Sequence, residues 1–304
     1  MNIKGETIPA APSGRAFAAL AAAGSFWGTG FLLGKWALIE LSVGHMVLYR
    51  LLFASLGFAP VTWRGLRRAE TRIAREDIRL ILIAALVGIP VLFLIQFAGL
   101  ARTTVSHASL MVGAIPVLLA AASAIFNHEH VTAVRWLALI ASMIGAGLIA
   151  FGASTGEGGT QASLSGDLLV AVSLFAGVAW ILISQRLMKT GRYSPVTVSA
   201  YVITAGTLML AVWVVATEGL PPIHLSARAW TSVAAAGFLA TTATTYLWNW
   251  GISHVPASQA GVFLNLEPVV GALLGVMVLH DVLGSYSILG GLLVIGAAIF
   301  VAAK

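Results

Sequence analysis

Cysteine is absent from all 304 residues of the chain. Without thiols the protein forms no disulfide and has no thiolate for metal binding or catalysis, and the redox state of its compartment is left open. Charged residues are also scarce, at 9% of the chain. Soluble domains carry about 25% Asp, Glu, Lys and Arg. This scarcity therefore excludes an ordinary soluble protein.

Apolar residues take the place of the missing charges. They make up 59% of the chain, with a mean hydropathy of +0.95, and they fall into long runs. Each run approaches the ~20 helical residues that cross a ~30 Å hydrocarbon core. The first run exceeds the apolar region of a cleaved signal peptide. We predict an all-α membrane protein with ten transmembrane helices, at 16–38, 44–63, 78–100, 103–126, 133–152, 166–188, 195–216, 228–251, 256–279 and 284–302.

The net charge is +6, and 6 of the 17 basic residues cluster at one connection between predicted spans. Basic residues collect in cytoplasmic loops, so we place this connection and both termini in the cytoplasm. The charge then reflects topology beside anionic lipid, and we expect membrane lipid rather than nucleic acid as a partner. The basic residues of this connection are Arg64, Arg67, Arg68, Arg72, Arg75 and Arg79.

The chain repeats itself with an offset of 152 residues, the separation of Pro116 and Pro268. A linker rich in Gly, Ser and Thr lies between the halves, which predicts two five-helix repeats at 1–155 and 156–304. Because each half has an odd number of spans, the second is inverted, as in secondary transporters with a midplane site. Other aligned pairs are Gly99 with Gly251, Ser106 with Ser258, Ala108 with Ala260, and His128 with His280.

The most informative stretch is Leu266-Glu267-Pro268, in the middle of an apolar run. A carboxylate at a bilayer centre costs about 2.5–3.5 kcal/mol, so Glu267 should face a polar cavity, be protonated or have a partner. The helical step of 100° places Phe263, Glu267 and Gly271 on one face, with Gly271 leaving room for a ligand. We predict structural or hinge roles for Pro116, Pro268 and Gly271, because proline loosens a helix.

Further candidates for a cavity come from polar and aromatic residues inside other spans. Thr242, Tyr246 and Asn249 follow one helical stripe. A zwitterionic substrate with an apolar ring would need both polar and aromatic surfaces. We predict that Phe263, Tyr246, Trp27, Trp180 and Met111 supply the ring surface, and Glu267, Asn249, Thr242 and Gln96 the polar end; Trp27 is equally well explained as a packed aromatic.

Three other polar residues leave alternatives open. Arg50 can snorkel to the membrane surface or pair with a carboxylate, either Glu40 or Glu267. We expect Lys35 to snorkel and His107 to be a hydrogen-bonded packing residue. The His128-Glu129-His130 sequence lacks a fourth ligand, so we predict no metal site there.

In these features the chain resembles the drug/metabolite transporter superfamily, and within it the EamA family. The resemblance covers almost all of the chain, with Asp281 where the family usually has Glu. It is more narrowly similar to bacterial aromatic amino acid exporters. The resemblance implies a basket-like bundle in the bacterial inner membrane, a central cavity between the first, third, fourth, sixth, eighth and ninth spans, alternating access, and no cofactor. It is carried by Trp27-Gly28 with Lys35, the run from Tyr49 to Ala54, Pro116 with Glu129, and Leu266-Glu267-Pro268 with Gly271.

Three functions are compatible with these features. The first is export of amino acids, aromatic ones above all, and the second is export of other amphipathic metabolites or drugs. The third is a membrane-embedded transferase acting on lipids, against which the sequence shows no nucleophile–base spacing and no large loop. A phosphate-binding Walker loop is also missing, which disfavours transport driven by ATP. The glycines of the last span suggest either scaffold or a homodimer surface.

Overall fold

The computed structural model describes residues 14–67, 73–127, 133–154, 162–189, 191–255 and 260–302. In these ranges the backbone forms helices joined by short turns, without β-strands. The boundary between the predicted halves and the His128-Glu129-His130 sequence lie outside the described residues.

The helices follow one another with few residues between them. They are α1 Gly14–Ala37, α2 Val43–Arg67, α3 Arg75–Leu86, α4 Leu92–Arg102, α5 Val105–Val112, α6 Ile115–Asn127, α7 Ala133–Ser154, α8 Leu164–Lys189, α9 Pro195–Glu218, α10 Ala227–Gly237, α11 Thr244–Ile252, α12 Leu266–Leu279 and α13 Ser285–Ala302. Two π-helical turns, Val87–Val91 and Phe238–Ala243, and one 3₁₀ turn, Gly261–Asn265, adjoin them.

The predicted all-helical membrane architecture is confirmed. Within the described ranges, 7 helical stretches are long and apolar enough to cross a membrane, and Trp136–Gly152 and Ser285–Phe300 are shorter apolar helices. The stretch from α10 through its π turn to α11 coincides with the predicted span 228–251. The total of ten crossings stays a prediction.

Irregular turns occur at matching places in the two halves. The π turn beginning at Val87 joins α3 to α4, and the one beginning at Phe238 joins α10 to α11. Their separation is within one residue of the sequence repeat. In the first, Pro90 has no N–H to give an α-helical bond. In the second, the Thr241 hydroxyl donates to the Ala236 carbonyl five residues earlier, at 3.0 Å, which satisfies an oxygen that the π turn frees.

The predicted hinge prolines lie where helices restart. The chain turns at Gly113 and Ala114, and α6 then begins with Ile115-Pro116. In the second half the 3₁₀ turn precedes α12, in which Pro268 occupies the first turn. A first-turn residue needs no intrahelical N–H bond, so proline is tolerated there. Each proline therefore marks a break within a predicted span.

Glycine contacts bring α1 against α12 and so place Glu267 at the centre of the bundle. A Cβ at Gly28 would lie 2.7 Å from the Glu267 carbonyl oxygen, so only glycine permits this approach. A Cβ at Gly271 would likewise collide with the side chain of Ser109 in α5. The space that we predicted for a ligand beside Gly271 is thus occupied by a neighbouring helix.

Lys35 does not snorkel to the membrane surface, contrary to the prediction. Its ammonium donates to the carbonyl oxygens of Leu100 and Thr103, at 2.8 and 2.6 Å. These carbonyls belong to the C-terminal end of α4, where a cation interacts favourably with the helix dipole. We call this end of the bundle, where α4 ends and α5 begins, the His107 end.

Candidate substrate-binding cavity

A central cavity of about 220 Å³ lies between helices of both halves. Its wall includes residues of α1, α2, α4, α5, α6, α8, α9, α11 and α12 and of all three irregular turns. Ligand sites typically measure about 300–1,000 Å³, so this cavity suits one small metabolite. The wall includes α2 and α9 in addition to the spans that the family resemblance implies.

Glu267 reaches this cavity from the first turn of α12. Its side chain is half-buried. Its carboxyl group forms no hydrogen bond or ion pair with the described part of the chain. Of the three possibilities raised by the sequence, the structure thus shows a cavity-facing acid. The carboxyl oxygens are available to a ligand.

Arg50 lies on the cavity wall and is 5% exposed. Its guanidinium carbon lies 5.0 Å from the centroid of the Phe93 ring and 5.2 Å from that of Phe97. Its Nε donates to the Thr241 hydroxyl at 3.3 Å. A guanidinium has five N–H donors, and the aromatic faces hold it by cation–π attraction. Arg50 therefore has donors to spare for a ligand.

The two charges share the cavity without contacting each other. Ion pairs within 4.0 Å among the described residues do not include Arg50 with Glu267. The charges nonetheless interact electrostatically. Glu40, the other predicted partner, instead accepts hydrogen bonds from the backbone and hydroxyl of Ser226. The cavity thus holds an anion and a cation with space between them.

Aromatic rings form much of the remaining wall. Trp27 packs against Trp248 with ring centroids 5.3 Å apart, and Phe31 stacks on Phe97 at 6.3 Å. Trp180 also lines the cavity, and its indole N–H is buried without a partner in the described ranges. The wall therefore offers flat apolar surfaces together with one unpaired donor.

The structure brings part of the predicted site together. Trp27, Gln96, Trp180 and Glu267 all line the cavity. Contact of these residues with a substrate remains a proposal.

The predicted stripe on the eighth span faces away from the cavity. Thr242 donates to the Ala54 carbonyl at 3.1 Å, and Tyr246 stacks on Phe58 at 5.4 Å. Asn249 donates to the Thr245 carbonyl of its own helix. The lining residues of this span are Thr241 and Thr245 instead, on the adjacent stripe of the helix. Sequence periodicity groups residues on one face but does not determine which face meets the cavity.

Phe263 and Met111 also lie outside the cavity wall. Phe263 packs against Phe17 at 5.9 Å, whereas Leu264 lines the cavity with Glu267. Residues three apart eclipse in a 3₁₀ turn, which places Leu264 on the Glu267 face. Met111 is 1% exposed within the hydrophobic core. The 3₁₀ turn has no clear signal in the sequence.

Comparison with known proteins agrees with this architecture. The model of the EamA-like transporter family matches residues 14–151 and again 164–303. The uncharacterized transporter YdfC of Bacillus subtilis is 27% identical over 267 residues, which cover 84% of this chain and 80% of that protein. An uncharacterized transporter of Archaeoglobus fulgidus is 23% identical over 280 residues, covering 91% and 94% of the two chains.

A solved crystal structure has the same fold, with a TM-score of 0.63 at 16% identity over 95% of this chain and 96% of that chain. This likeness concerns the fold alone. Because the family model matches both halves, nearly end to end, the chain belongs to the EamA-like transporter family and is a multi-pass membrane transporter.

Proposed function

We propose that this protein is a secondary transporter that exports amino acids, preferentially aromatic ones, from the cytoplasm by alternating access. The observation that carries the proposal is the pair of opposite charges, Arg50 and Glu267, in a cavity with aromatic walls. An amino acid has the same combination of features in complementary form. It carries a carboxylate, an ammonium group and, in this class, a flat ring.

The binding mode follows from the charges. Arg50 donates to the substrate carboxylate, for which its fork of N–H groups is suited. Glu267 accepts from the substrate ammonium group. Both charges of the substrate thus exchange water for an ionic partner, without which their burial would be strongly unfavourable.

The ring of the substrate lies among the aromatic side chains of the wall. Trp27 and Trp180 come from opposite halves of the chain and both face the cavity. Aromatic pairs contribute about 0.5–1.5 kcal/mol beyond the burial of area. Aromatic amino acids should therefore bind more tightly than small polar ones.

Export of cationic drugs is the second candidate, supported by Glu267 and the apolar wall. Arg50 opposes it, because a guanidinium about 5 Å from two ring centroids repels a second cation from the same aromatic surface. Membership of a transporter family supports either exporter over a lipid-dependent transferase. Localisation in the bacterial inner membrane with both termini cytoplasmic forms part of the proposal.

Counterflow into proteoliposomes of the purified chain tests the proposal. Labelled tryptophan, phenylalanine, threonine and a cationic dye serve as parallel substrates, with protein-free vesicles as control. We expect uptake of the two aromatic amino acids to exceed that of threonine and dye, without ATP. Uptake of the dye alone would establish the second candidate instead. Absence of amino acid uptake by folded protein would refute the proposal.

A further inference from the structure

A second buried polar group lies at the His107 end, outside the wall of the cavity. His107, Asp167 and Ser287 each have 0% exposure. The His107 Nδ1 lies 2.9 Å from an Asp167 carboxylate oxygen, and its Nε2 lies 2.9 Å from the Ser287 hydroxyl. We propose that these residues form a proton-binding site whose occupancy holds the His107 end of the transporter closed.

The three side chains can satisfy both charge states of the imidazole. With neutral His107, Nδ1–H donates to Asp167, and Nε2 accepts from the Ser287 hydroxyl. With protonated His107, both ring nitrogens donate, and the hydroxyl turns to accept. Serine is suited to this position because its hydroxyl both donates and accepts. Proton binding thus needs only rotation of one hydroxyl group.

Protonation converts a buried carboxylate beside a neutral ring into an ion pair. Asp167 also accepts from the Thr103 hydroxyl at 2.5 Å. The bond to the Asp167 carboxylate is charge-assisted in both states, whereas the bond between Nε2 and the Ser287 hydroxyl becomes charge-assisted on protonation, which makes it roughly twice as strong. With the added ion pair, the protonated state binds α5, α8 and α13 to one another more firmly than the neutral state.

Neighbouring charges at this end are already engaged. From α1, Lys35 donates to two carbonyls, and beyond α12 Asp281 accepts from the backbone and hydroxyl of Ser106, at 2.8 and 2.9 Å. Arg102 ends α4 with an exposed side chain, and His280, which ends α12 beside Asp281, is also exposed. In the described part of this end, α7 and α13 contribute no charged side chain. Within α5, α8 and α13, His107 is the only histidine.

The position of the site links the proton to transport. His107 and Thr103 belong to the first half of the chain, whereas Asp167 and Ser287 belong to the second. Opening of the His107 end has to separate the halves, break these bonds and admit water. The inference rests on the proposed alternating access. It predicts that acid on the His107 side opposes opening, and that neutral His107 permits it.

Thermal unfolding tests proton binding without any substrate. The full chain in detergent is melted at about pH 5.5 and about pH 8, where histidine changes charge, as wild type, His107→Gln and the control His45→Gln. We expect wild type and His45→Gln to lose thermal stability alike as pH rises, and His107→Gln to lose less. An equal loss in all three overturns the proton site. If His107→Gln does not fold, Asp167→Asn replaces it and should show the same smaller loss, because protonated His107 then has no carboxylate with which to form an ion pair.

Thiol labelling tests closure. Val112→Cys places the chain's only thiol on the cavity wall. A membrane-impermeant thiol reagent is added at about pH 5.5, on the acid side of the range in which histidine changes charge, to vesicles that expose the His107 end. We expect Val112→Cys with His107→Gln to react roughly tenfold faster than Val112→Cys alone, because a charge-assisted bond is lost. Equal rates would refute closure by this site. Because no substrate is used, either result is independent of the amino acid proposal.

Discussion

Two charged residues, Arg50 and Glu267, give the cavity its chemical character. Each would cost about 2.5–3.5 kcal/mol at the centre of a membrane if it faced lipid. The cation is partly compensated by the Phe93 and Phe97 rings, which contribute up to about 2 kcal/mol when desolvated. The anion has no such compensation among the described residues. At the residue scale, the proposed binding of a substrate ammonium group would supply the charge that Glu267 lacks.

The size of the cavity depends on Gly177 of α8. A Cβ at this position would lie 3.7 Å from Leu92, an ordinary contact. We expect Gly177→Ala to transport normally and Gly177→Leu, which projects into the cavity, to lower the rate roughly tenfold or more. Counterflow rates at equal amounts of folded protein measure the effect. Normal transport by Gly177→Leu would show that the substrate binds elsewhere.

At the scale of elements, adjacent threonines in the second π turn face different surroundings. Thr241 lines the cavity and contacts Arg50, whereas the adjacent Thr242 bonds to α2. We expect Thr241→Val to impair transport and Thr242→Val to leave it intact while lowering stability by about 1 kcal/mol, the value of one hydrogen bond. Counterflow and thermal unfolding of both variants check this. The opposite pattern would show that Thr242, and not Thr241, contacts the substrate.

A second element-scale feature recurs with the sequence repeat. In the first contact, Glu40 binds Ser226, the N-cap of α10. Arg192 lies one repeat offset after Glu40 in the sequence, and it binds Glu76 and Asp77 at the start of α3. Hydrogen bonds from the Ser226 side chain and backbone hold the pKa of Glu40 below its ordinary value of 4.5. Hydrogen bonding to Glu76 is the main cause that raises the pKa of Arg192.

The Glu40 contact gives a pH dependence of known sign. Because the folded-state pKa is lowered, the stabilisation is present above the unfolded-state pKa and is lost as pH falls through the folded-state value. We expect Glu40→Gln to lower the melting temperature at neutral pH and to show a smaller further drop below about pH 4 than wild type. Identical acid profiles for the two proteins would contradict a role for this contact.

The positions of the helices were predictable from the sequence, whereas the orientation of their faces was not. Hydropathy located the helices, since the described part of each predicted span is formed by one helix or by consecutive helices. An acid inside an apolar run pointed to Glu267. The face of a helix that meets the cavity was not predictable from periodicity: Tyr246 lies on the stripe beside the lining residues, and the 3₁₀ turn puts Leu264 rather than Phe263 on the wall. The His107–Asp167–Ser287 contacts join residues far apart in sequence and have no local signal.

At the scale of the whole molecule, orientation is the open prediction. Two inverted halves of five spans each would place the linker and the C-terminus on opposite sides of the membrane. We expect reporter fusions after Glu157 and at Lys304 to report the outer and the cytoplasmic side respectively, because the basic loop between α2 and α3 stays inside. Both fusions on one side would require a different number of crossings.

The central claim, that Arg50 and Glu267 bind the two charges of one substrate, is tested most directly by competition against tryptophan counterflow. Tryptamine lacks the carboxylate, and indole-3-propionate lacks the ammonium group. In wild type, both should compete about 10–100-fold less well than tryptophan, since each leaves one charge without its hydrogen-bonded partner.

The variants should change this order in opposite ways. In Arg50→Gln, tryptamine should compete as well as tryptophan, and in Glu267→Gln indole-3-propionate should do so. The controls Arg64→Gln and Glu218→Gln, which alter charges outside the cavity wall, should keep the wild-type order. The same order in Arg50→Gln, Glu267→Gln and wild type would contradict the account.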